Sequence, residues 1–514
     1  MSLPDPIIVL GAGHNGLTAA AYLAKNGRQV LVLERRETAG GIAATETLLP
    51  GYQFNTGFPN AANLRPAIIQ ELGLAARGFD VLHPQTAVTA IGPRGPIAID
   101  GRGRITAGAE RLNDPSEAGR LEAWVEYLEK SAAVIAGLMD LIPPNVKGRI
   151  GSAEVLPWTG LGFSVRRRGG REMTDLLRIL PSSAREYLDE NLGDPTLKGA
   201  LAVFSTLGAF LGPYGAGTTL NLLYQFAGGF SPVFIRGGAG RFSAALIAAI
   251  EAAGGEVRMG TDVRTVAVEN GRAVGVVTAS GEHIPGTAVV SSLDPRTTLE
   301  SLLPAGRLPV KFTRRLSRIR LKGSTATLHF ALDRLPDFGV PPENLDGWIV
   351  YCPSMEHLER AYDDAKYGRA SERPALLGAI PSILDPALAE PGRHTLSVIV
   401  RYAPYHLRTD GYERLPEAVI AGLSECAPNF KHAVVDYRMI APADYETRFG
   451  LAEGAWTHGQ PALDQQLIMR PIPGWSDYRT PVAGLWLCGS GSHPGGGLTG
   501  APGRNAARQI LKYG

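Results

Sequence analysis

The first forty residues alternate between short apolar runs and a helical pattern of small residues. Residues 7–10 (IIVL) and 30–33 (VLVL) are uninterrupted apolar runs, as expected of strands buried in a parallel sheet. Residues 17–25 between them have helical character, and Asn26-Gly27 supplies a helix stop signal. The pattern therefore predicts a strand–helix–strand unit at the start of the chain.

The loop before this helix has the spacing G-x-G-x-x-G, formed by Gly11, Gly13 and Gly16. Gly11 permits a tight turn, Gly13 lets the backbone approach a pyrophosphate, and Gly16 lets helix and strand pack closely. The helix N-terminus offers free N–H groups and a positive dipole end to phosphates. Glu34, which ends the second strand, can accept hydrogen bonds from both ribose hydroxyls and would repel a 2′-phosphate. The motif predicts a dinucleotide other than NADP; the alternative is a glycine turn in an ordinary α/β unit.

A second glycine pair, Gly40-Gly41, follows closely after Glu34. It would let the backbone continue along an extended cofactor. This arrangement resembles FAD domains of the glutathione-reductase type more than NAD dehydrogenases.

The middle of the chain contains further elements of the nucleotide-binding domain and the elements of a second domain. Residues 242–253 predict a helix, and strand patterns at 256–259, 263–268 and 273–278 predict a third parallel strand with a β-meander. Residues 199–235 carry no charged side chain, which indicates buried core helices; an apolar tunnel wall or a face that dips into a membrane are the alternatives. Helical patterns at 114–142 and 172–194 and strand patterns at 320–332, 346–352 and 394–404 indicate a second domain with a mixed sheet.

Composition excludes several classes of protein. The 514 residues carry a net charge of +2, so no nucleic-acid partner is expected. The three cysteines form no C-x-x-C and the histidines no H-x-x-x-H, so neither a redox dithiol nor a metal site is predicted. The first apolar run leads straight into a motif and no apolar run approaches about 20 residues, which favours a cytoplasmic protein, with peripheral membrane association left open.

The two ends of the chain carry a family resemblance. The start VLGAGHNGLTAAAYLAKNG and the end LCGSGSHPGGGLTGAPGRNAARQIL resemble the phytoene desaturase and carotenoid oxidoreductase branch of FAD-dependent proteins, over nearly the whole chain. The resemblance implies an α/β fold: a discontinuous Rossmann-type FAD-binding domain of the glutathione-reductase type and an interleaved α+β substrate domain with a mixed sheet. The predicted FAD domain comprises residues 1–75, 230–300 and 475–514, and the predicted substrate domain 76–229 and 301–474.

The resemblance also implies which residues contact a non-covalently bound FAD. It places the last glycine loop beneath the isoalloxazine, with the N-terminus of the last helix near N1 and the C2 carbonyl, and it brings the backbone near Val263 to the adenine. The implied cofactor residues are Gly11, Gly13, His14, Asn15, Gly16, Glu34, Arg35, Gly40, Gly41, Ile42, Val263, Gly489, Ser490, Gly497, Leu498 and Thr499. Ile42 stands where carotenoid desaturases often have Arg, and Ser490 where many related flavoproteins have an acid. These departures question a carotenoid substrate but leave the FAD prediction unchanged.

The resemblance predicts an oxidoreductase in which flavin N5 takes a hydride from carbon. The sequence has no G-x-S-x-G nucleophile motif and no carboxylates paired at a suggestive spacing. This suits dehydrogenation, saturation or isomerisation of a C–C bond in an apolar polyene or lipid-like substrate, which offers little for a polar residue to hold. Oxygen or a quinone is the expected electron acceptor because no second nucleotide domain is evident. His493 and His458 are candidate catalytic residues, each with a structural role as the alternative, and Arg470 could face the substrate beside His458. A flavin amine oxidase and a non-enzymatic lipid-binding or escort protein are the alternative functions.

Overall fold

The computed structural model describes residues 5–57, 60–144, 152–167, 169–407 and 412–514. In these residues the strands are, in chain order, β1 (Ile7–Leu10), β2 (Val30–Leu33), β3 (Thr45–Leu49), β4 (Tyr52–Asn55), β5 (Val81–Leu82), β6 (Thr86–Ile91), β7 (Ile97–Asp100), β8 (Ile105–Ala107), β9 (Phe234–Ile235), β10 (Glu256–Arg258), β11 (Val263–Glu269), β12 (Arg272–Thr278), β13 (His283–Pro285), β14 (Ala288–Ser291), β15 (Thr325–Leu332), β16 (Trp348–Tyr351), β17 (Leu376–Ala379), β18 (His394–Arg401), β19 (Val434–Ile440) and β20 (Leu485–Leu487). The α-helices are α1 (His14–Lys25), α2 (Pro66–Glu71), α3 (Glu117–Met139), α4 (Ser152–Arg167), α5 (Gly170–Ile179), α6 (Ala184–Asp189), α7 (Pro195–Ser205), α8 (Thr218–Gln225), α9 (Gly240–Ala252), α10 (Val310–Leu316), α11 (Met355–Lys366), α12 (Leu415–Cys426), α13 (Phe430–Ala433), α14 (Pro442–Phe449) and α15 (Ala501–Tyr513).

A five-stranded parallel sheet joins three distant parts of the chain. Its strand order is β10-β2-β1-β14-β20, and every neighbouring pair is parallel. Successive side chains of β1 point to opposite faces of the sheet. One face packs against α1, α9 and α15, and the other packs against the antiparallel meander β11–β13. The predicted α/β fold, with its Rossmann-type sheet and β-meander, is confirmed.

The second large sheet has eight strands and is mixed. Its order is β19-β15-β18-β17-β16-β6-β7-β8; β16 and β6 run parallel and the other pairs are antiparallel. The predicted mixed sheet is therefore confirmed. All its strands come from the two segments predicted to form the substrate domain, whereas the parallel sheet is built from the three predicted FAD segments. The boundaries of the two domains stay a prediction.

The uncharged stretch 199–235 is core. Helices α7 and α8 are almost entirely buried, in a cluster that includes Trp124, Phe204 and Trp348. The stretch therefore does not offer a face to a membrane, but several of its residues line the cavity described below. In the described ranges no helix combines the length and the apolar character that a membrane span needs.

The pattern at 172–194 predicted one helix, and the structure has two. Between α5 and α6, the Ser183 hydroxyl accepts the Glu186 N–H (3.2 Å) and the Glu186 carboxylate accepts the Ser183 N–H (3.1 Å). This capping box starts a new helix, because it satisfies backbone donors that would otherwise need a preceding turn. The helical pattern of apolar residues continues across the break because α5 and α6 both bury apolar side chains, so the sequence pattern alone did not show where one helix ends and the next begins.

Candidate functional site

A cavity lies between the parallel sheet and the mixed sheet. Its volume is about 390 Å³, within the usual range of about 300–1,000 Å³ for ligand sites. One end is formed by loops that follow β1 and β2, and the other by α8, the strands β15 and β18, and the segment 456–470. Residues of both predicted domains therefore share one cavity.

The first glycine loop borders the cavity with its backbone. Gly11 has φ +87°, a left-handed conformation that favours glycine. A Cβ on Gly16 would lie 2.2 Å from the Gly11 carbonyl oxygen, so the residue allows α1 to pack closely against the loop. A Cβ on Gly13, in contrast, would meet no heavy atom within 4 Å and would project into open space. The loop thus leaves room for a group to approach its N–H donors at the N-terminus of α1.

Glu34 holds the loop in addition to facing the cavity. Its carboxylate accepts the Ala12 N–H at Oε2 (2.7 Å) and the Arg36 N–H at Oε1 (3.0 Å). Each carboxylate oxygen keeps a second acceptor site, so hydrogen bonds from a ribose remain possible. The sequence predicted the acid for its ligand contacts but did not predict that it fixes the glycine loop.

The second glycine pair lies against the first loop. Gly40 forms a parallel bridge with Gly13, and its N–H donates to the Ala12 carbonyl (2.8 Å). A Cβ on Gly41 would lie 3.6 Å from the Gly13 Cα. Glycine is favoured at both positions because their φ values are +109° and +57°, in the left-handed region, and a Cβ on Gly40 would also lie 3.1 Å from the Ala43 carbonyl oxygen.

Thirteen of the sixteen residues predicted to contact a cofactor line this one cavity. They are Gly11, Gly13, His14, Asn15, Glu34, Arg35, Gly40, Gly41, Ile42, Val263, Ser490, Gly497 and Leu498. The other three lie behind its wall. Gly16 packs on Gly11, a Cβ on Gly489 would lie 2.2 Å from the Ser292 carbonyl oxygen, and the Thr499 hydroxyl accepts the Ala501 N–H at the start of α15 (3.2 Å). These three residues support the cavity wall and do not form its surface.

The two ends of the chain meet at the cavity. The Asn15 amide nitrogen donates to the Ser490 hydroxyl (3.2 Å), and His14 Nε2 donates to the Gly497 carbonyl (3.2 Å). Burial lowers the pKa of His14 to about 4, so the imidazole is neutral at pH 7. The Asn15 side-chain oxygen is buried and has no hydrogen-bond partner in the described chain, which leaves an acceptor for a ligand. These features fit an extended dinucleotide across the two loops.

The structure separates the two candidate catalytic histidines. His493 is fully buried outside the cavity surface, and its Nε2 donates to the Leu138 carbonyl (3.0 Å). Burial lowers its pKa to about 4, so a neutral ring anchors the last loop to the end of α3. His458 lines the cavity in a left-handed conformation, φ +52°. Burial lowers its pKa, an effect that the nearby Asp294 carboxylate opposes.

Several cavity residues were not predicted from the sequence, among them Tyr224 and Asn63. The Tyr224 hydroxyl donates to the Gly496 carbonyl (2.8 Å), and the Asn63 amide nitrogen donates to the Tyr224 carbonyl (3.0 Å). A signal for Tyr224 was available: Asn221, Tyr224 and Gln225 are polar residues at helical spacing within an otherwise apolar stretch, and all three line the cavity. Asn63 offers no comparable local signal.

Comparisons with known proteins extend over the whole chain. The family described as flavin containing amine oxidoreductase matches residues 16–511. The rat protein named pyridine nucleotide-disulfide oxidoreductase domain-containing protein 2 is 32% identical over 540 residues, covering 98% of this chain and 93% of its own. A limonene dehydrogenase chain of Castellaniella defragrans is 27% identical (98% and 94% covered). The neurosporene-forming phytoene desaturase of Cereibacter sphaeroides is 25% identical (97% and 93% covered). The predicted resemblance is confirmed.

Solved structures agree on the fold. Putrescine oxidase bound to putrescine superposes with a TM-score of 0.63 at 17% identity, with 99% of each chain covered. An oxidoreductase from Methanosarcina mazei superposes with a TM-score of 0.62 at 17% identity, with 99% and 100% covered.

Proposed function

Because this chain belongs to the family of flavin-containing amine oxidoreductases and is an FAD-dependent oxidoreductase, we propose that it dehydrogenates a C–C bond of an apolar substrate. Saturation or isomerisation of such a bond are the related reactions that the same site would support. Bound FAD supplies the hydride chemistry at N5. The thirteen cavity residues named above are the proposed contacts of the cofactor.

One observation carries the choice of substrate class. In the described residues, the cavity end beside Gly495–Gly497 has no carboxylate in its wall and one guanidinium, that of Arg470. A protonated amine would be repelled by this cation and would find no carboxylate in the wall beside it. The apolar wall there instead excludes water and suits a hydrocarbon; it is formed by Leu207, Ile399, Trp456 and Pro461.

The relatives support the same class. The limonene dehydrogenase chain and the phytoene desaturases carry the names of hydrocarbon substrates. Dehydrogenation of a C–C bond removes one hydrogen as a hydride and one as a proton. His458 is the proposed group that faces the substrate, because its neutral ring has Nδ1 buried without a hydrogen-bond partner in the described chain and can accept that proton. His493 anchors the last loop to α3 and has no proposed catalytic role.

Anaerobic bleaching of the flavin tests this proposal. The purified holoprotein is mixed with limonene, a carotenoid polyene or an aliphatic amine, and the flavin absorbance is followed before and after adding oxygen or a soluble quinone. We expect bleaching by an apolar compound and recovery with oxygen or the quinone, which are the proposed electron acceptors. Bleaching by the amine alone would contradict the proposal and favour an amine oxidase.

We also propose that the protein binds peripherally, through α4 and α5, to a bilayer that contains anionic lipid. These helices expose large apolar side chains next to arginines: Leu156 (71% exposed), Phe163 (56%), Met173 (39%) and Leu177 (64%), with Arg166, Arg167 and Arg171. Exposed apolar and cationic side chains together suit the interface of an anionic bilayer. The predicted cytoplasmic location stays a prediction.

Vesicle sedimentation tests the membrane proposal. We expect the protein to sediment with vesicles containing phosphatidylglycerol more than with pure phosphatidylcholine, and the Phe163→Ser/Leu177→Ser variant to lose this binding. Val310→Ser removes an even more exposed apolar side chain (84% exposed) from α10 and is the control. Equal binding of all three proteins, or self-association through the patch, would refute it.

A further inference from the structure

Arg470 is a cation buried in the wall of the FAD cavity. It is 3% exposed, and backbone carbonyls surround its guanidinium. Nε donates to Gln465 (2.6 Å), Nη1 to Thr457 (2.5 Å) and Ser490 (2.6 Å), and Nη2 to Gly459 (2.5 Å). Among the described residues no carboxylate lies within ion-pair distance of it. The carbonyls accept four of its five N–H groups but carry no negative charge to pair with the cation.

The charge persists despite burial. Burial lowers the pKa of Arg470 to about 10, so the guanidinium stays protonated at neutral pH. A buried charge without a partner of opposite sign is unfavourable, and carbonyl dipoles offset this only in part. The cavity wall therefore has a site at which a negative charge in the ligand would be stabilised strongly.

The position of Arg470 identifies the part of the ligand that it faces. In the described cavity wall, the other residues with charged side chains lie together where β2 ends and β11 begins. They are Glu34, Arg35, Arg36 and Asp262. Arg470 stands apart from them, beside the last glycine loop. A Cβ on Gly495 would lie 3.8 Å from its Cζ, and Tyr224 links the same loop to α8. This is the loop that the family resemblance places beneath the isoalloxazine.

We propose that Arg470 stabilises the negative charge that reduction leaves on the bound FAD, and that it thereby raises the reduction potential of the cofactor. Two electrons and one proton, the equivalent of one hydride, give the ring system one net negative charge. The second hydrogen of the substrate leaves as a proton and does not neutralise this charge. The inference rests on the proposed function because it requires the flavin ring at this end of the cavity.

Two variants separate the charge of Arg470 from its role in holding carbonyls. Arg470→Met removes both, whereas Arg470→Lys keeps the charge and loses most of the hydrogen bonds. We expect Arg470→Met to make two-electron reduction at least tenfold less favourable, which equals about 30 mV. Arg470→Lys should stay within threefold of wild type. A purely structural role predicts that both variants lose stability and that neither shifts the potential of the FAD that remains bound.

Arg401 provides a matched control. It is also fully buried, and it donates to the Thr206 and Ala209 carbonyls and to the Thr325 hydroxyl, but it does not line the cavity. Arg401→Met should therefore leave the reduction equilibrium within threefold of wild type. The potentials are measured anaerobically against a reference dye, with bound FAD quantified for every variant.

The wild-type protein supplies a second test that does not depend on variants folding. If Arg470 keeps the reduced ring anionic, the potential falls by about 30 mV per pH unit at mildly acidic pH, because one proton accompanies two electrons. A slope of about 60 mV, indicating two protons, would overturn the inference, as would an unchanged potential in Arg470→Met. Loss of benzoate binding in Arg470→Met with an unchanged potential would assign the cation to a substrate carboxylate. A wild-type protein that binds no FAD would instead refute the proposed function.

Discussion

Replacing Gly13 with alanine should separate the stability of the chain from its affinity for FAD. Gly13 has φ −69°, which any residue can adopt, and a Cβ there would meet no heavy atom within 4 Å. The methyl group therefore clashes with nothing in the protein. Because Gly13 is the N-cap of α1, where alanine is less favourable, we expect the free energy of unfolding of the apoprotein to fall by about 1 kcal/mol or less.

The same methyl group occupies space that the cofactor needs. It projects into the cavity in front of the N-terminus of α1, where the phosphates are proposed to bind. Losing one charge-assisted hydrogen bond costs about 1.5–3 kcal/mol. At about 1.4 kcal/mol per tenfold change, FAD should bind about 10- to 140-fold more weakly.

Gly16→Ala is the matched comparison. Its Cβ would lie 2.2 Å from the Gly11 carbonyl oxygen and 2.9 Å from the Ser292 hydroxyl, so the loop must shift even without cofactor. We expect a loss of about 1–3 kcal/mol in unfolding free energy together with weaker FAD binding. Urea unfolding of the apoproteins and FAD titration of the deflavinated proteins give both quantities. The reasoning is refuted if Gly13→Ala binds FAD within twofold of wild type, or if it destabilises the apoprotein as much as Gly16→Ala.

Three further changes test other parts of the site. Glu34→Gln should lower the unfolding free energy of the apoprotein by about 1–3 kcal/mol, because an amide cannot accept both N–H groups; the exposed Glu37→Gln is the control, and equal urea midpoints would contradict the role. Burial lowers the pKa of His493 to about 4, whereas the unfolded chain takes up this proton at about pH 6.5. The unfolding free energy should therefore fall by about 3 kcal/mol through this group as the pH decreases from about 6.5 to 4. His493→Gln should flatten the pH dependence of urea unfolding over that range, and an unchanged profile would exclude the effect. Truncation before Gly489 removes the last glycine loop and α15, which packs on α1, and should abolish stoichiometric FAD binding in absorbance spectra; retained FAD would refute the placement of this loop.

The features that local sequence patterns predicted correctly are local ones, whereas the joining of distant segments into one sheet and one cavity was predicted from the family resemblance. The loop at Gly11–Gly16 follows from one strand, one turn and one helix that are adjacent in the chain, and the structure reproduces it with the expected close contact at Gly16. The meander at 263–285 likewise depends on neighbouring strands. Patterns of period 2 and 3.6 record such elements because each buries one face of its own.

The features that the sequence did not predict depend on contacts between distant residues. The histidine at 493 lies in a glycine-rich loop, where a catalytic and a structural role look alike in the sequence. Its partner is the Leu138 carbonyl, 355 residues away, and no local pattern specifies that contact. Arg470 is a related case. The sequence analysis suggested that it could face the substrate, and it does line the cavity, but the four carbonyls that hold its guanidinium in place of a carboxylate could not be predicted from its neighbours in sequence.

The strand order of the parallel sheet explains why the chain keeps a glycine loop for its last residues. β20 pairs with β14, and β14 pairs with β1, so the loop after β20 emerges at the same edge as the loop after β1. Ser490 then reaches Asn15, and the Gly497 carbonyl reaches His14, across separations of 475 and 483 residues. Each loop supplies groups that the other lacks: N–H donors at the start of α1, and backbone beside Arg470 from the last loop. The final glycines are therefore the second half of the site that begins at Gly11, and a chain without them would have neither a closed cavity wall nor a partner for His14.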